Sequence, residues 1–280
     1  MTMAETRNYA FAGSFYPNGK REISAMTGGF LRKAMVNQAE ADRFLSYVAP
    51  HAGYIYSGST AGYTYAAIRM RKDLESIDTV ILVGPNHTGY GTPISVSMLD
   101  WKTPLGDVAN DAEFSALMVD RSELAEIDEA AHAYEHSIEV QLPFLQTIAP
   151  GKRAVFVCMG DQSLSSSKDL AVAIDEAAKI LGRKVIVVAS SDFNHYESAD
   201  IGKNKDMQLI DALETMDYER FNALVGDLND TACGFGPITV SLLYAKAHGG
   251  KKGDLLRYSN SGEATGDLSS VVDYASIGFG

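Results

Sequence analysis

The sequence predicts an α/β fold, a layered α/β/α arrangement around one central sheet. Short runs of β-branched residues, which are typical of buried strands, occur at 47–49, 79–83, 154–157 and 185–188. Stretches with helical spacing lie between them, and this alternation favours a sheet whose strands are largely parallel. Two further strand-like segments, 255–259 and 270–277, flank a loop rich in glycine, serine and aspartate. That pattern predicts an antiparallel hairpin, so we expect a mixed sheet.

The helices are predicted from the spacing of apolar residues and from side chains that can cap a helix. Ser57 or Ser59 is expected to cap a helix that runs to about Arg71. Further helices are expected at 111–120, 137–148, 166–181, 200–216 and 238–247, the last with Pro237 in its first turn. We find no repeat and no Pro/Ser-rich linker, so we expect a single domain spanning residues 1–280.

Composition limits the classes of partner. The 280 residues are 46% hydrophobic and 21% charged, enough for a sizeable core, and the formal net charge is −12. That charge argues against duplex nucleic acid and anionic membranes as partners. Two cysteines cannot form a disulfide framework, the first seven residues carry no apolar run, and no apolar stretch approaches a membrane span. We expect a cytoplasmic protein, and its oligomeric state is left open.

Three predicted strands run into polar turns that each carry a histidine. His51 follows the first strand, His87 the second and His195 the fourth. Taken singly, each imidazole could simply cap a turn or satisfy a buried hydrogen bond. Ligands of open α/β sheets bind beyond the carboxyl ends of the strands, however, and parallel strands would place all three imidazoles at that edge. The repetition therefore favours one shared site, and imidazole suits both metal binding and proton transfer.

Cys233 lies in the segment Thr-Ala-Cys-Gly-Phe-Gly-Pro, just before the last predicted helix. A thiol at that position would feel the positive end of the helix dipole, which lowers its pKa and favours the thiolate. The alternative is a small buried apolar residue, the usual role of a free cysteine. Cys158 lies within an apolar run, and there we expect only packing.

A second histidine cluster, His132-Ala-Tyr-Glu-His136, does not match the zinc-protease signature because its glutamate is displaced. It could still contribute His136 or the nearby Glu139 to the surroundings of the shared site. Phosphate-binding, dinucleotide-binding and serine-hydrolase motifs are not found.

Several of these segments together resemble the Memo family. The resemblance rests on Ala-Gly-Ser-Phe-Tyr at 12–16, Ala-Pro-His-Ala-Gly-Tyr at 49–54, Gly-Pro-Asn-His at 84–87, Glu-His-Ser-Ile-Glu-Val-Gln-Leu-Pro-Phe at 135–144, Ser-Ser-Asp-Phe at 190–193, Cys-Gly at 233–234 and Tyr-Ser-Asn-Ser-Gly-Glu-Ala-Thr-Gly-Asp at 258–267. These motifs occur in order from about residue 8 to residue 279. The family is similar in fold to the LigB-like class III extradiol dioxygenases, which hold non-haem Fe(II).

The resemblance implies that His51, His87 and Cys233 are metal ligands, with His195 and Asp192 beside them. A cysteine stands where the dioxygenases have a carboxylate, and its thiolate also suits zinc or copper. Under the enzyme interpretation the protein is an Fe(II)-dependent oxidoreductase acting on a phenolic or catechol-like ligand. His195 would transfer a proton, and Asp192 would orient an imidazole.

Phe15 and Tyr54 are expected as walls of the same pocket, although either residue could equally be core packing. Phe15 corresponds to a tryptophan at the pocket edge of the eukaryotic member that recognises a phosphotyrosine peptide. The second interpretation is therefore a module that binds a ligand or a peptide in this pocket without turnover.

Overall fold

The structure, a computed structural model, describes residues 6–280 and contains twelve strands and ten helices in that range. The strands are β1 (Thr6–Arg7), β2 (Ser46–Ala49), β3 (Thr79–Pro85), β4 (Ile94–Val96), β5 (Asp100–Thr103), β6 (Gly106–Val108), β7 (Ala125–Ile127), β8 (Arg153–Met159), β9 (Val185–Ser190), β10 (His195–Glu197), β11 (Gly253–Asn260) and β12 (Val271–Phe279). The helices are α1 (Lys20–Lys33), α2 (Gln38–Ala41), α3 (Tyr54–Met70), α4 (Ala112–Arg121), α5 (Leu142–Ile148), α6 (Leu164–Leu181), α7 (Ala199–Glu214), α8 (Tyr218–Asp227), α9 (Phe235–Ala247) and α10 (Gly262–Thr265).

The main sheet has nine strands in the order β10-β12-β2-β9-β3-β8-β4-β7, with β11 paired to β12. Its four central strands, β2, β9, β3 and β8, are parallel to one another. Antiparallel pairs of β12 with β2 and of β4 with β8 flank this centre. Strands β1, β5 and β6 form a separate small sheet. The predicted mixed, largely parallel sheet is thus confirmed, and so is the antiparallel pairing of the last two strands.

Both faces of the central strands are buried, because alternate side chains point to opposite sides of a strand. On one face, Val80 and Leu82 of β3 belong to the core cluster that also contains residues of α1, α3 and α5. On the other face, Ile81 and Val83 pack in a cluster with residues of α4, α6 and α9. This pattern explains why parallel strands read as continuous apolar runs.

Two helix predictions were wrong at their first residues. α3 begins at Tyr54 after Gly53, and neither Ser57 nor Ser59 caps it. Ser57 lies one turn inside the helix, where its hydroxyl donates a 2.8 Å hydrogen bond back to the carbonyl of Ala52. The predicted helix 137–148 begins only at Leu142, after a 3₁₀ turn at Glu139–Gln141. The preceding residues are irregular, and this irregularity places His136. No helix among residues 6–280 is long and apolar enough to span a membrane.

Candidate metal centre

The carboxyl ends of the parallel strands bring the first two histidines to one edge of the sheet. His51 comes two residues after β2 ends, and His87 comes two residues after β3 ends. Strand β9 lies between β2 and β3, and its last residue, Ser190, aligns with Ala49. For His51 and His87 the predicted convergence follows directly from the parallel register, whereas His195 begins β10, a short strand antiparallel to β12.

Three imidazoles form a compact group at this edge: His51, His87 and His136. Each offers one ring nitrogen, and these nitrogens all lie within 4.8 Å of one another. The ring centroid of His51 lies 5.3 Å from that of His87 and 5.3 Å from that of His136, and the centroids of His87 and His136 are 4.6 Å apart. His136, which was predicted only for the surroundings of the site, comes from the turn before the 3₁₀ segment and joins His51 and His87 in this group.

Hydrogen bonds fix which nitrogen of His51 carries a proton. The Ser190 hydroxyl donates to the Ser137 carbonyl at 2.6 Å, so its single proton is already used. The same oxygen accepts from Gln141 Nε2 at 2.8 Å and lies 2.9 Å from His51 Nδ1. His51 Nδ1 is therefore the donor, and His51 Nε2 presents a lone pair, as a metal ligand must.

Glu135 fixes the orientation of the His87 ring by accepting hydrogen bonds from it. This fully buried carboxylate accepts from the backbone N–H of His87 at 2.6 Å and from its ring Nδ1 at 2.9 Å. It also accepts from the backbone N–H of Ser137 at 2.8 Å and lies 3.4 Å from His136 Nδ1. Because an ionised carboxylate only accepts, His87 Nδ1 carries the proton and Nε2 is free. A carboxylate behind an imidazole is the usual device for orienting a metal-binding histidine.

The surroundings keep the group ready to bind a cation. Burial, followed by the neighbouring His87, lowers the pKa of His51 well below its ordinary value. Burial and then His51 lower the pKa of His136 to about 3. Burial alone would raise the pKa of Glu135, but its hydrogen bond and charge interaction with His87 bring it down to about 2. His51 and His136 are thus neutral near neutral pH and stand beside an ionised Glu135, and this combination fits a divalent metal ion.

Cys233 lies beside this group rather than within it. Its sulfur is 3.2 Å from His51 Nε2 and accepts a 3.3 Å hydrogen bond from the backbone N–H of Asp192. The expected effect of the helix dipole does not dominate, since loss of water and the Asp192 carboxyl raise the pKa of the thiol. The sulfur thus faces the lone pair of His51 as a neutral group in this structure.

Asp192 and His195 also reach the site, in roles that differ from the expectation for Asp192. Asp192 Oδ1 accepts from the backbone N–H groups of His51 and Ala52, at 2.7 and 3.3 Å, and not from an imidazole ring. Burial raises its pKa. His195 begins β10, its backbone N–H donates to Thr231 Oγ1, and its buried Nδ1 has no hydrogen-bond partner. The orienting contacts expected of Asp192 are made by Glu135 and Ser190.

A cavity of about 380 Å³ adjoins the group, with His136, Asp192 and His195 in its wall. Its other lining residues are mainly aromatic or small: Phe15, Ala52, Gly53, Tyr56, Tyr196, Ser261, Thr265, Val272 and Tyr274. The Phe15 ring lies 4.5 Å from that of His136. A larger cavity of about 540 Å³ reaches Phe11 from elsewhere on the surface, and no histidine lines it. The smaller cavity is therefore the one that adjoins the group of imidazoles.

The remaining predicted residues serve the core. Tyr54 is buried, its hydroxyl donates to the Val140 carbonyl at 2.6 Å, and it does not line the cavity. The carboxylate of Glu139 binds Arg7 at 2.7 Å and contacts none of the three histidines. His132 is buried against Trp101, and Cys158 is fully buried in β8, as its apolar run predicts.

Sequence reasoning missed Glu135, Ser190 and the aromatic residues Tyr56, Tyr196 and Tyr274. The pair Glu135-His136 was visible in the sequence, but no spacing rule connects it to a histidine 48 residues away. The cavity aromatics come from α3, β10 and β12, and only the folded sheet brings these elements together.

Comparison with known proteins supports one family assignment. A family model described as Memo-like protein matches residues 7–278. A MEMO1 family protein of Archaeoglobus fulgidus is 40% identical over 273 residues, which cover 98% of this chain and 99% of that protein. Another, of Methanosarcina barkeri, is 39% identical over 276 residues, covering 97% of this chain and 98% of its own length.

The chain belongs to the Memo family. Among solved structures, the Memo-family fold described above is similar to the crystal structure of an uncharacterised protein of Escherichia coli K12, with a TM-score of 0.53. That match covers 84% of this chain and 99% of the other, at 12% sequence identity. It supports the α/β architecture and carries no information on chemistry.

Proposed function

We propose that this Memo-family protein binds a divalent metal ion, iron(II), through His51, His87 and His136, and uses it to oxidise a small phenolic or catechol-like ligand. The observation that carries the proposal is the compact group of three imidazoles beside an aromatic cavity, with the Nδ1 atoms of His51 and His87 held by Ser190 and Glu135. Imidazole ligands suit iron, zinc and copper alike. The choice of iron follows the resemblance to the LigB-like dioxygenases.

In this proposal three histidines bind the metal ion, and His195 and Phe15 contact the ligand. Three protein ligands leave open positions, and a bound iron(II) ion supplies Lewis acidity and access to oxygen chemistry. His195 is the remaining imidazole in the cavity wall, and its Nδ1 is free of protein partners. In this proposal His195 accepts a proton from a phenolic hydroxyl. Phe15 would pack against the ring of the ligand.

The ligand set is the first point to test. Metal content per chain should be measured after anaerobic purification for the wild type, His136→Ala and Cys233→Ala. We expect about one equivalent in the wild type and in Cys233→Ala, and a loss of most of it in His136→Ala. Retention in His136→Ala together with loss in Cys233→Ala would instead assign His51, His87 and Cys233 as the ligands.

Turnover is tested separately with the iron-loaded protein. Oxygen consumption is measured with a panel of catechols for the wild type and for His195→Ala. We expect uptake in the wild type and at least a hundredfold slower uptake in His195→Ala with its iron retained. A metal-loaded wild type that consumes no oxygen with any catechol would favour a binding module that uses the same pocket.

A further inference from the structure

The wall of the 380 Å³ cavity offers no positive side chain to a ligand. None of the residues that line it in the described chain is lysine or arginine. Basic residues on neighbouring elements are paired with their own carboxylates, at 2.8 Å for both Lys205–Glu197 and Arg257–Glu263. Away from a metal ion held by the three histidines, a carboxylate or phosphate at this wall would lose water without gaining an ion pair with a side chain, and that costs binding free energy.

Two polar atoms in the wall have no partner in the protein. Asp192 is 96% buried, and both of its recorded hydrogen bonds are to Oδ1, which leaves Oδ2 without a donor among the described residues. His195 Nδ1 is the second such atom, although it is buried and is not itself exposed to the cavity. A carboxyl oxygen that lacks a donor is satisfied by a ligand that brings N–H or O–H groups.

The aromatic part of the wall complements such a ligand. Four of its lining residues are aromatic: Phe15, Tyr56, Tyr196 and Tyr274. Tyr196 is 79% exposed and holds a left-handed φ of 63°, a conformation that costs a non-glycine residue free energy and is common at ligand sites. Its ring lies 5.7 Å from that of His195, so the strained residue stands at the rim of the cavity. Aromatic faces attract cations, and ammonium groups are recognised in this way.

We infer that this cavity selects a small aromatic ligand bearing a protonated amine, with Asp192 and the aromatic rim receiving the ammonium group, over anionic analogues. The inference names the ligand class of the proposed site and rests on the proposed function. It also disfavours a phosphate at the aromatic rim, since no lysine or arginine lines the wall there.

The test uses three para-substituted phenols of similar size and different charge: tyramine, 4-ethylphenol and 3-(4-hydroxyphenyl)propionate. Binding to the protein as purified is measured under argon by titration calorimetry up to 10 mM ligand (roughly the concentration that detects millimolar affinity). We expect tyramine to bind about tenfold more tightly than 4-ethylphenol, and the propionate more weakly than both. Propionate binding at or above the affinity of tyramine overturns the inference, as does failure of all three to bind.

Two variants separate the amine contact from general effects. Asp192→Asn keeps an oxygen for the backbone N–H groups of His51 and Ala52, and should reduce tyramine affinity about tenfold while changing that of 4-ethylphenol less than about twofold. Tyr196→Asn places a residue that tolerates a left-handed φ at an exposed site, and should weaken tyramine about threefold. Tyr134→Asn, equally exposed on the wall of the other cavity, is the matched control and should have no effect.

Metal content is measured on the same preparations. A metal-loaded wild type without tyramine preference refutes the ligand class and leaves the metal site standing. A metal-free protein that prefers tyramine refutes the metal site and retains the ligand class. In the variants, an unchanged tyramine affinity in both Asp192→Asn and Tyr196→Asn would overturn the assigned contacts.

Discussion

Replacing Glu135 by glutamine tests whether one buried carboxylate sets the geometry of the three-histidine group. Its Oε1 accepts from Ser137 N–H and from His87 Nδ1, and its Oε2 accepts from the backbone N–H of His87. A glutamine keeps the larger number of these hydrogen bonds when its carbonyl oxygen occupies the position of Oε1. Its NH₂ group then faces the backbone N–H of His87, a contact of 2.6 Å between two donors. His87 must move away, and its N–H is left without an acceptor.

The magnitude follows from that geometry. One buried donor without a partner costs about 1–3 kcal/mol, and replacing the charged acceptor for the imidazole by a neutral one adds about 1 kcal/mol. We therefore expect Glu135→Gln to lower the free energy of unfolding by about 3 kcal/mol. Loss of the orienting carboxylate should weaken metal binding about 10- to 100-fold. Unfolding is followed in urea, and metal affinity by competition with a coloured chelator.

Glu139→Gln is the matched control, because Glu139 is equally buried and lies four residues further along the chain. Its carboxylate receives Arg7 and the Tyr16 hydroxyl, so the variant should also be destabilised, by about 3 kcal/mol. Its folded fraction should bind metal within about threefold of the wild type. Wild-type metal affinity in Glu135→Gln, or an equal loss of affinity in both variants, would refute the role assigned to Glu135.

Three further changes probe the surroundings. Burial, followed by the charge of Arg7, lowers the pKa of His132 to about 4 from 6.5. As the pH falls from 6.5 to 4, the unfolded chain takes up this proton before the folded chain does, so His132 lowers the free energy of unfolding by about 1.4 kcal/mol per pH unit. Urea midpoints measured across this range should therefore fall less steeply with pH in His132→Gln, and the same dependence on pH as in the wild type would contradict the assignment. Tyr54→Phe should cost about 1 kcal/mol of stability without changing tyramine binding, and weakened binding would restore Tyr54 to the pocket. A Cβ on Gly84 would lie 2.4 Å from Ser137 Oγ, so Gly84→Ala should displace the turn before the 3₁₀ segment. Metal binding, measured with the same chelator, should then weaken at least tenfold. Gly226→Ala is the control, because a Cβ at Gly226 would meet open space.

The part of the site that could be predicted is the part that the sheet dictates. His51 and His87 follow apolar runs directly, and the parallel order of the central strands is enough to bring them to one edge. His136 could not be placed in this way, because its segment has helical spacing yet does not form a helix until Leu142. The reason is local competition, since the Glu135 carboxylate takes the Ser137 N–H. A side chain that bonds nearby backbone in this way favours a turn over a helix.

In the proposed ligand set Cys233 lies close to the three histidines without being a ligand, and the protonation pattern accounts for such an arrangement. Ser190 fixes the proton of His51 on Nδ1, so the lone pair on Nε2 points toward the Cys233 sulfur at 3.2 Å. A neutral thiol has one proton, which it can donate to this lone pair or to the Asp192 carbonyl 3.7 Å away, and a hydrogen bond to the lone pair competes with any cation that binds there. Removing the thiol should therefore not weaken a site made by the three histidines. The same change would weaken a site in which the sulfur is itself a ligand, because one metal–thiolate bond is then lost. In that case metal binding in the wild type also displaces the thiol proton that burial favours. The metal affinity of Cys233→Ala relative to wild type thus distinguishes the two ligand sets by its direction alone.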